Sequence, residues 1–467
     1  MVKTYTLTLI KSISGIRGTI GGFAGQGLSP LDVVKFTAAF ASWALKHSTH
    51  KTIIIGRDAR ISGDMVRNLV CGTLQGMGIN VIDLGLSTTP TVEIAVMRED
   101  AAGGIIITAS HNPAEWNALK LLNANGEFVS AKDGLDILDL AESGVINFAT
   151  VHELGKIHFD DSYLQKHINL VLALPLVDVA AIKKANFSVV LDAVNSTGGI
   201  FIPALLKALG VAKIDELYCT VDGNFAHNPE PLAENLTDLS ARVIELKADM
   251  GISVDPDVDR LVFVSEDGSM FGEEYTLVAV SDFVLSHTPG NTVSNLSSTR
   301  ALDDVTLSHK GIYYASAVGE VNVVTKMKEV HAVIGGEGNG GVIYPAIHYG
   351  RDALVGIALF LTHLAHTGHK MTTLKNSYPT YYISKNKISL TESTNVDALL
   401  VQFIEKYKNN KLNTEDGIRI DYEKEWVHLR KSNTEAIIRV IAESATKESA
   451  DALAKRIISE LNIMMHL

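Results

Sequence analysis

Strand-like apolar runs alternate with amphipathic helical stretches along most of this chain, and the alternation starts afresh more than once. Ser29-Pro30 reads as an N-cap followed by a first helical position, opening a helix to about residue 47. The run Thr52-Ile53-Ile54-Ile55 follows as a strand. A helix over about 63–75 then leads to Asn80-Val81-Ile82-Asp83-Leu84, and a third opens at Thr89-Pro90 before Gly103-Gly104-Ile105-Ile106-Ile107. Such alternation predicts an α/β unit with a mostly parallel sheet. The same order restarts at Phe187-Ser188-Val189-Val190-Leu191-Asp192, with the turn Ser196-Thr197-Gly198-Gly199 leading into a helix, and again around Thr292-Val293-Ser294-Asn295 and Ala332-Val333-Ile334. From about Pro379 the order becomes strand, helix, strand, loop, strand, helix, ending in an amphipathic helix from about Lys447. The expected architecture is three related α/β domains plus a C-terminal α+β domain, and 467 residues accommodate them at ~100–200 residues each. We place the domains at 1–155, 156–265, 266–377 and 378–467.

Charge and cysteine content narrow the function. Lys plus Arg number 41 against 53 Asp plus Glu, a net charge of -12 that opposes a sequence-independent grip on nucleic acid. An anionic substrate would need local basic clusters. Cys71 and Cys219 are too few and too far apart for a disulfide framework or a metal knuckle, which points to a reducing cytoplasm. The N-terminal segment lacks the apolar core of a secretory signal, and the longest apolar run, Val355-Gly356-Ile357-Ala358-Leu359-Phe360-Leu361, falls short of the ~20 residues of a membrane helix.

Four constellations carry chemistry. Thr108-Ala109-Ser110-His111-Asn112-Pro113 puts a hydroxyl at a strand's end, so Ser110 is the candidate nucleophile and acceptor of a phosphoryl group. Asp255-Pro256-Asp257-Val258-Asp259-Arg260 supplies three carboxylates, which alternation in an extended segment would turn to one side as a hard-oxygen site for Mg²⁺. A phosphate on Ser110 would complete that metal site. Glu266 falls at the twelfth position of an EF-hand count, but Arg260 replaces the glycine at the sixth, and a strand continues where a helix is needed. In Gly335-Gly336-Glu337-Gly338-Asn339-Gly340-Gly341 the glycines leave Glu337 and Asn339 as the only side chains, short and polar enough for sugar hydroxyls; a flexible loop is the plain alternative. His428-Leu429-Arg430-Lys431-Ser432-Asn433-Thr434-Glu435, with Arg439 beyond, concentrates the donors that a phosphate needs, or forms an ordinary capped surface loop. Arg17 and Arg57 stand beside glycines on turns, and Arg57 suits a carboxylate partner across a domain interface better than a phosphate. Lys120 is a candidate acid or base if it lies among other cations.

In this order the motifs Gly-Ile-Arg-Gly, Thr-Ala-Ser-His-Asn-Pro, Asp-x-Asp-x-Asp-Arg, Gly-Glu-x-Asn-Gly and Arg-x-Ser-Asn-Thr-Glu resemble the α-D-phosphohexomutases over essentially the whole chain, and the segment Phe225 to Pro231 fits as well. The resemblance implies four domains around a central cleft and a phosphoserine enzyme that moves phosphate between O6 and O1 of a hexose phosphate through a hexose 1,6-bisphosphate. It implies Mg²⁺ on Ser110, Asp255, Asp257 and Asp259. Arg260 and Lys120 would serve proton transfer or phosphoryl stabilisation, and Arg17 and His111 would line the reacting centre. Glu337 and Asn339 would read the sugar, and Arg430, Ser432, Asn433, Thr434 and Arg439 would hold the non-reacting phosphate. Two departures bear on the sugar. Asn339-Gly340-Gly341 stands where glucose/mannose-type members often have Ser-Gly-His, and Glu320 follows Gly319 where many have histidine. Both look like phosphoglucosamine mutases and archaeal-type hexomutases, and Glu320 with Glu337 would suit a 2-amino group. Ala436 replaces the proline that usually follows Thr-Glu, which would loosen the turn without removing a donor. The expected substrate is glucosamine phosphate, with glucose or mannose phosphate next, and the expected state a monomer or homodimer without nucleic-acid or membrane partners. A sugar-phosphate-binding regulator without turnover and a phosphatase are the other classes.

Overall fold

The computed structural model describes residues 7–12, 15–390, 395–431 and 437–465. Four sheets divide them. The first has seven strands, ordered Ile10–Ser12, Gly15–Thr19, Trp116–Leu122, Gly103–Ile107, Thr52–Arg57, Asn80–Leu86 and Ile157–Phe159. Its helices start where local chemistry dictates. Ser29 caps Pro30–His47 in a capping box with Asp32, and Thr88 caps Thr89–Arg98 through the amide of Thr91. The sheet is mixed rather than mostly parallel: Gly103–Ile107, Thr52–Arg57, Asn80–Leu86 and Ile157–Phe159 run parallel, but Trp116–Leu122 returns antiparallel beside Gly103–Ile107 and pairs with Gly15–Thr19. That return is a hairpin, which a reading of strand–helix alternation passes over. The strand Ile157–Phe159 carries this sheet beyond residue 155.

Two four-stranded sheets follow, ordered Leu261–Ser265, Met250–Val254, Ser188–Asp192, Lys213–Leu217 and Tyr313–Ser316, Asn291–Asn295, Ala332–Glu337, Gly341–Ile343. Each is parallel inside with one antiparallel edge strand. These two units share a core. Helix Ala353–Thr367 of the third unit is buried from Ala353 to Leu364 and stacks Phe360 on Phe263 of the second at 3.9 Å between ring centroids. Fully burying such side chains contributes ~1.5–3 kcal/mol each. The apolar run of residues 355–361 is therefore a core helix, and no helix among the described residues is long and apolar enough to cross a membrane.

The fourth sheet is antiparallel throughout: Tyr382–Ser389, Ile437–Ser444, Trp426–Lys431, Ile418–Asp421, Lys411–Asn413. It has five strands where the sequence suggested three, because the extra ones are too short to show alternation. Helices Val396–Lys406 and Lys447–Met465 cover the face carrying Val427, Leu429, Ile438 and Val440. The opposite face meets the third unit: Ser297 and His428 lie 2.9 Å apart, and Arg419 donates to the Leu296 carbonyl at 2.8 Å.

Candidate active site

Gly103–Ile107 is buried at every residue and delivers the chain to Ser110, which sits at φ 49°. A left-handed serine costs roughly 1–2 kcal/mol, so the surroundings must impose it. Thr108 Oγ1 donates to Asp58 at 2.7 Å and accepts from the Ser110 amide at 2.9 Å. The wholly buried Arg60 does the rest. Its Nε donates to Asp58 at 3.0 Å, and its Nη atoms reach the carbonyls of Ser110, Asn112, Pro113 and Trp116 at 2.5–2.9 Å. One guanidinium thereby sets the whole serine loop. Arg57, the arginine favoured for an interdomain pair, instead bonds Asp64 of its own unit at 2.7 Å.

The acidic loop joins Met250–Val254 to Leu261–Ser265. It is a turn rather than an extended segment. Val258 takes φ 63°, the Val258 amide donates to the Asp255 carbonyl, and this reversal, not strand alternation, brings the three carboxylates within 4.8 Å of one another. All three units hold the loop: the Thr89 amide bonds the Asp257 carbonyl at 2.9 Å, Ser196 and Thr197 bond the Pro256 carbonyl at 2.7 and 2.9 Å, and the Leu261 amide bonds Gly340 at 3.1 Å. The loop is docked at the positive N-terminus of helix Thr89–Arg98. Glu266 instead bonds Thr372, so it has no part in a calcium loop.

Ser110 Oγ donates to Asp255 Oδ2 at 2.6 Å, with His111 Nδ1 3.4 Å from the same hydroxyl. Burial, then the charges of Asp259 and Asp257, push Asp255 well above the usual carboxylate range. Asp257 Oδ1 and Asp259 Oδ1 are buried without a hydrogen-bond partner. Clustered hard oxygens, two of them unpartnered, fit a small divalent cation.

Cations surround this cluster. Lys120, on Trp116–Leu122, donates to Asp257 at 2.6 Å and Asp259 at 3.1 Å. Burial would lower its pKa, but the two carboxylates outweigh that and raise it, so Lys120 is held protonated. Its ammonium is thereby tied to two of the three loop carboxylates. Arg17 pairs across strands with Ala118, two residues before Lys120, so both side chains share one face. Burial first, then the charges of Arg260 and Arg17, keep His111 well below the ordinary histidine value, so it is neutral. Arg260 donates its amide to Asp255 at 3.1 Å and extends Nη1 to Glu230 at 3.4 Å.

Glu337 ends Ala332–Glu337, and Asn339 lies in the turn before Gly341–Ile343, so the glycine-rich segment is a built hairpin rather than a flexible loop. Glu337 Oε1 accepts from Asn295 at 2.9 Å and the Gly319 amide at 3.0 Å, while Oε2 meets Arg351 at 3.1 Å. Glu320 also bonds Arg351, at 2.7 Å. Both glutamates bond one guanidinium that the sequence does not announce, and it also reaches Asp259 at 2.7 Å.

Arg430 lies 3.3 Å from Asp416 and faces Arg439 directly across the strands, and Arg439 faces Lys387. Three cations thus form a row on the helix-free face. Like charges in register destabilise a sheet, and a bound anion offsets this. Ser432, Asn433 and Thr434, with Ala436, lie outside the described residues. Sequence reasoning missed Arg60, Thr89, Arg351 and Lys387. Arg60 stands three residues beyond Arg57, whereas Thr89, Arg351 and Lys387 show their roles through partners distant in the chain.

Four family profiles match in succession: Phosphoglucomutase/phosphomannomutase, alpha/beta/alpha domain I over residues 9–144, domain II over 161–268, domain III over 272–382, and the C-terminal domain over 388–460. A phosphoglucomutase/phosphomannomutase of Thermococcus kodakarensis is 34% identical over 438 residues, covering 93% of this chain and 95% of that protein. A phosphoglucosamine/phosphogalactosamine mutase of Sulfurisphaera tokodaii is 30% identical over 454 residues, covering 95% and 97%. Among solved structures, a phosphoglucomutase/phosphomannomutase family protein of Burkholderia thailandensis superposes with a TM-score of 0.84 at 23% identity, covering 99% of this chain and 97% of that one.

Proposed function

Because the chain belongs to the phosphoglucomutase/phosphomannomutase family, as its four matching domains show, we propose that it moves phosphate between O6 and O1 of a hexose phosphate with Ser110 as the phosphoryl carrier. The observation that carries this reading is Ser110 Oγ held 2.6 Å from Asp255 on a loop locked by Arg60. In the first half-reaction the bond from phosphorus to Ser110 Oγ breaks, a bond from phosphorus to the free sugar hydroxyl forms, and the hydroxyl's proton ends on Ser110 Oγ. Asp255 accepts a hydrogen bond from that hydroxyl, and neutral His111 is placed to relay the proton. Lys120, Arg17 and Arg260 supply fixed positive charge to the transferring oxygens. When bound at Ser110, Asp255, Asp257 and Asp259, Mg²⁺ would add Lewis-acid polarisation of the phosphoryl group.

The product of this step is a hexose 1,6-bisphosphate, which turns over and returns its other phosphate to Ser110. Both orientations need one anchor for the phosphate that does not react. We assign that role to Arg430 and Arg439 together with Ser432, Asn433 and Thr434, and the positioning of the sugar to Glu337 and Asn339. Ser110 is nearly buried, which limits access of the water that would hydrolyse phosphoserine.

For the sugar, Glu320 and Glu337 share the one Arg351 guanidinium, while Asp259 is also paired with Lys120, leaving one negative charge uncompensated beside the sugar hairpin. That favours glucosamine 6-phosphate and its ammonium group, in line with the Sulfurisphaera relative. The 34% identity to a phosphoglucomutase/phosphomannomutase supports glucose or mannose phosphate as the second reading. The setting is the cytoplasm, as a monomer or homodimer. The test combines intact mass before and after phosphatase treatment with coupled assays on glucosamine 6-phosphate, glucose 1-phosphate and mannose 1-phosphate. A phosphate removable from the wild type but absent from Ser110→Ala, with turnover lost in that variant, is expected. Release of inorganic phosphate exceeding isomer formation would point to a phosphatase. Neither phosphoserine nor turnover, even with Mg²⁺ and a bisphosphate activator, would leave only a sugar-phosphate-binding regulator.

A further inference from the structure

The two departures from the glucose/mannose-type pattern are far apart in sequence, and they meet at one side chain. Glu320 opens helix Glu320–Glu329, and its carboxylate takes the Nε proton of Arg351 at 2.7 Å. Gly341 opens the return strand of the sugar hairpin, and a Cβ there would lie 2.3 Å from Arg351 Cδ. Any side chain at 341 would therefore displace the arginine stem. Glycine at 341, glutamate at 320 and arginine at 351 are one steric and electrostatic unit.

The guanidinium has three fixed contacts: Nε to Glu320, Nη1 to Glu337 and Nη2 to Asp259. All four side chains are nearly buried. Its backbone is as well placed as its tip. Asp352, the next residue, caps helix Ala353–Thr367 through the amides of Leu354 and Val355, and that helix lies in the core shared by the second and third units. Arg351 therefore projects from a rigid element and ties the acidic loop of one unit to the sugar hairpin of the next.

We propose that Arg351 is the positioning residue that sets sugar specificity, by fixing Glu320 and Glu337 relative to Asp259 and limiting how much of their charge reaches the sugar. This rests on the hexose-phosphate reading above. A guanidinium with planar, directed donors does what a lysine cannot: it holds three carboxylates at defined angles. Removing it frees two carboxylates toward an ammonium group, whereas removing the Glu320 charge leaves the guanidinium to the other two.

The two changes should therefore move discrimination in opposite directions. The experiment measures calorimetric binding of glucosamine 6-phosphate and of glucose 6-phosphate to the full chain, with thermal melting alongside, for Arg351→Met, Arg351→Lys, Glu320→Gln and the double variant Arg351→Met/Glu320→Gln. We expect Arg351→Met to shift the ratio of affinities toward the amino sugar by about tenfold, and Glu320→Gln to shift it toward glucose by a few fold, about the scale one pocket contact supplies. The double variant should recover melting temperature relative to Arg351→Met, with a ratio between those of the single variants. Should Arg351→Met not fold, Arg351→Lys must still shift the ratio toward the amino sugar, because a lysine cannot hold all three carboxylates. A ratio constant within twofold while both affinities fall in step with melting temperature would reduce Arg351 to a structural tie and overturn the proposal. Wild-type binding without turnover would count against the mutase reading alone, whereas binding of neither sugar phosphate would overturn both.

Discussion

The serine loop of the first unit and the cation row of the fourth both face phosphate in the proposed cycle, yet they are built oppositely. Around Ser110 the charge that shapes the loop is interior: Arg60 is spent on Asp58 and four carbonyls and is unavailable to a ligand. Arg430, Arg439 and Lys387 are aligned by strand register; Arg439 and Lys387 are exposed, and Arg430 lies half-buried beside Asp416. A carrier hydroxyl must be held in one place while bonds change on it, whereas an anchor must grip and release twice per cycle. The sharpest way to break the contrast is Arg60→Met. It would bury Asp58 without its partner and strip donors from the loop carbonyls, costing ~3–5 kcal/mol. Urea unfolding should show that loss, with phosphorylation of Ser110 falling alongside. A change under ~1 kcal/mol would mean that the loop is set by something else.

The fourth unit is not exposed throughout, and His428 shows where it is fixed. On the same strand face as Arg430, it sits between Ser297 and the Asp416 carbonyl, which it meets at 2.6 Å. Burial pushes its pKa down from 6.5 to about 4, against the upward pull of Asp416. Between those values the unfolded chain binds a proton that the native chain does not. Stability should therefore fall as pH drops from about 6.5 to about 4 and level off below, by up to a few kcal/mol at ~1.4 kcal/mol per unit. His428→Gln should flatten that limb in melting scans across this range. Equal slopes for both proteins would remove the neutral histidine from the account.

This contrast also explains what the sequence could disclose. The strand leading to Ser110, the helix opening at Pro30 and the run of aspartates are local patterns, readable from neighbours in the chain. The convergence of the aspartates was expected for the wrong reason: a turn through Val258 gathers them, and no periodicity reports a single left-handed residue. Arg351 was invisible because Tyr349-Gly350-Arg351 has no motif and its three partners lie 14 to 92 positions away. The return of Trp116–Leu122 beside Gly103–Ile107 went unread because pairing depends on a partner strand rather than on spacing.

The remaining predictions concern the anchor, where effects should be smaller. Arg430→Ala removes a fork able to grip phosphate with two bonds and should raise KM about tenfold or more while kcat changes little. A fall in kcat at unchanged KM would instead place Arg430 at the reacting centre. Lys387 is the weakest test and the most discriminating one. It is exposed, and it lies one strand beyond Arg439, so its contribution rests on register alone. If the row acts as a shared field, Lys387→Ala should raise KM about two- to threefold at low salt. That difference should vanish near 1 M salt, where the Debye length shrinks to about 3 Å. Arg430→Ala should keep most of its penalty under the same conditions, because directed hydrogen bonds are screened less than a distant charge. An equal salt response for the two variants would mean that the anchor is a diffuse basic surface, and the difference from the serine loop would be one of degree.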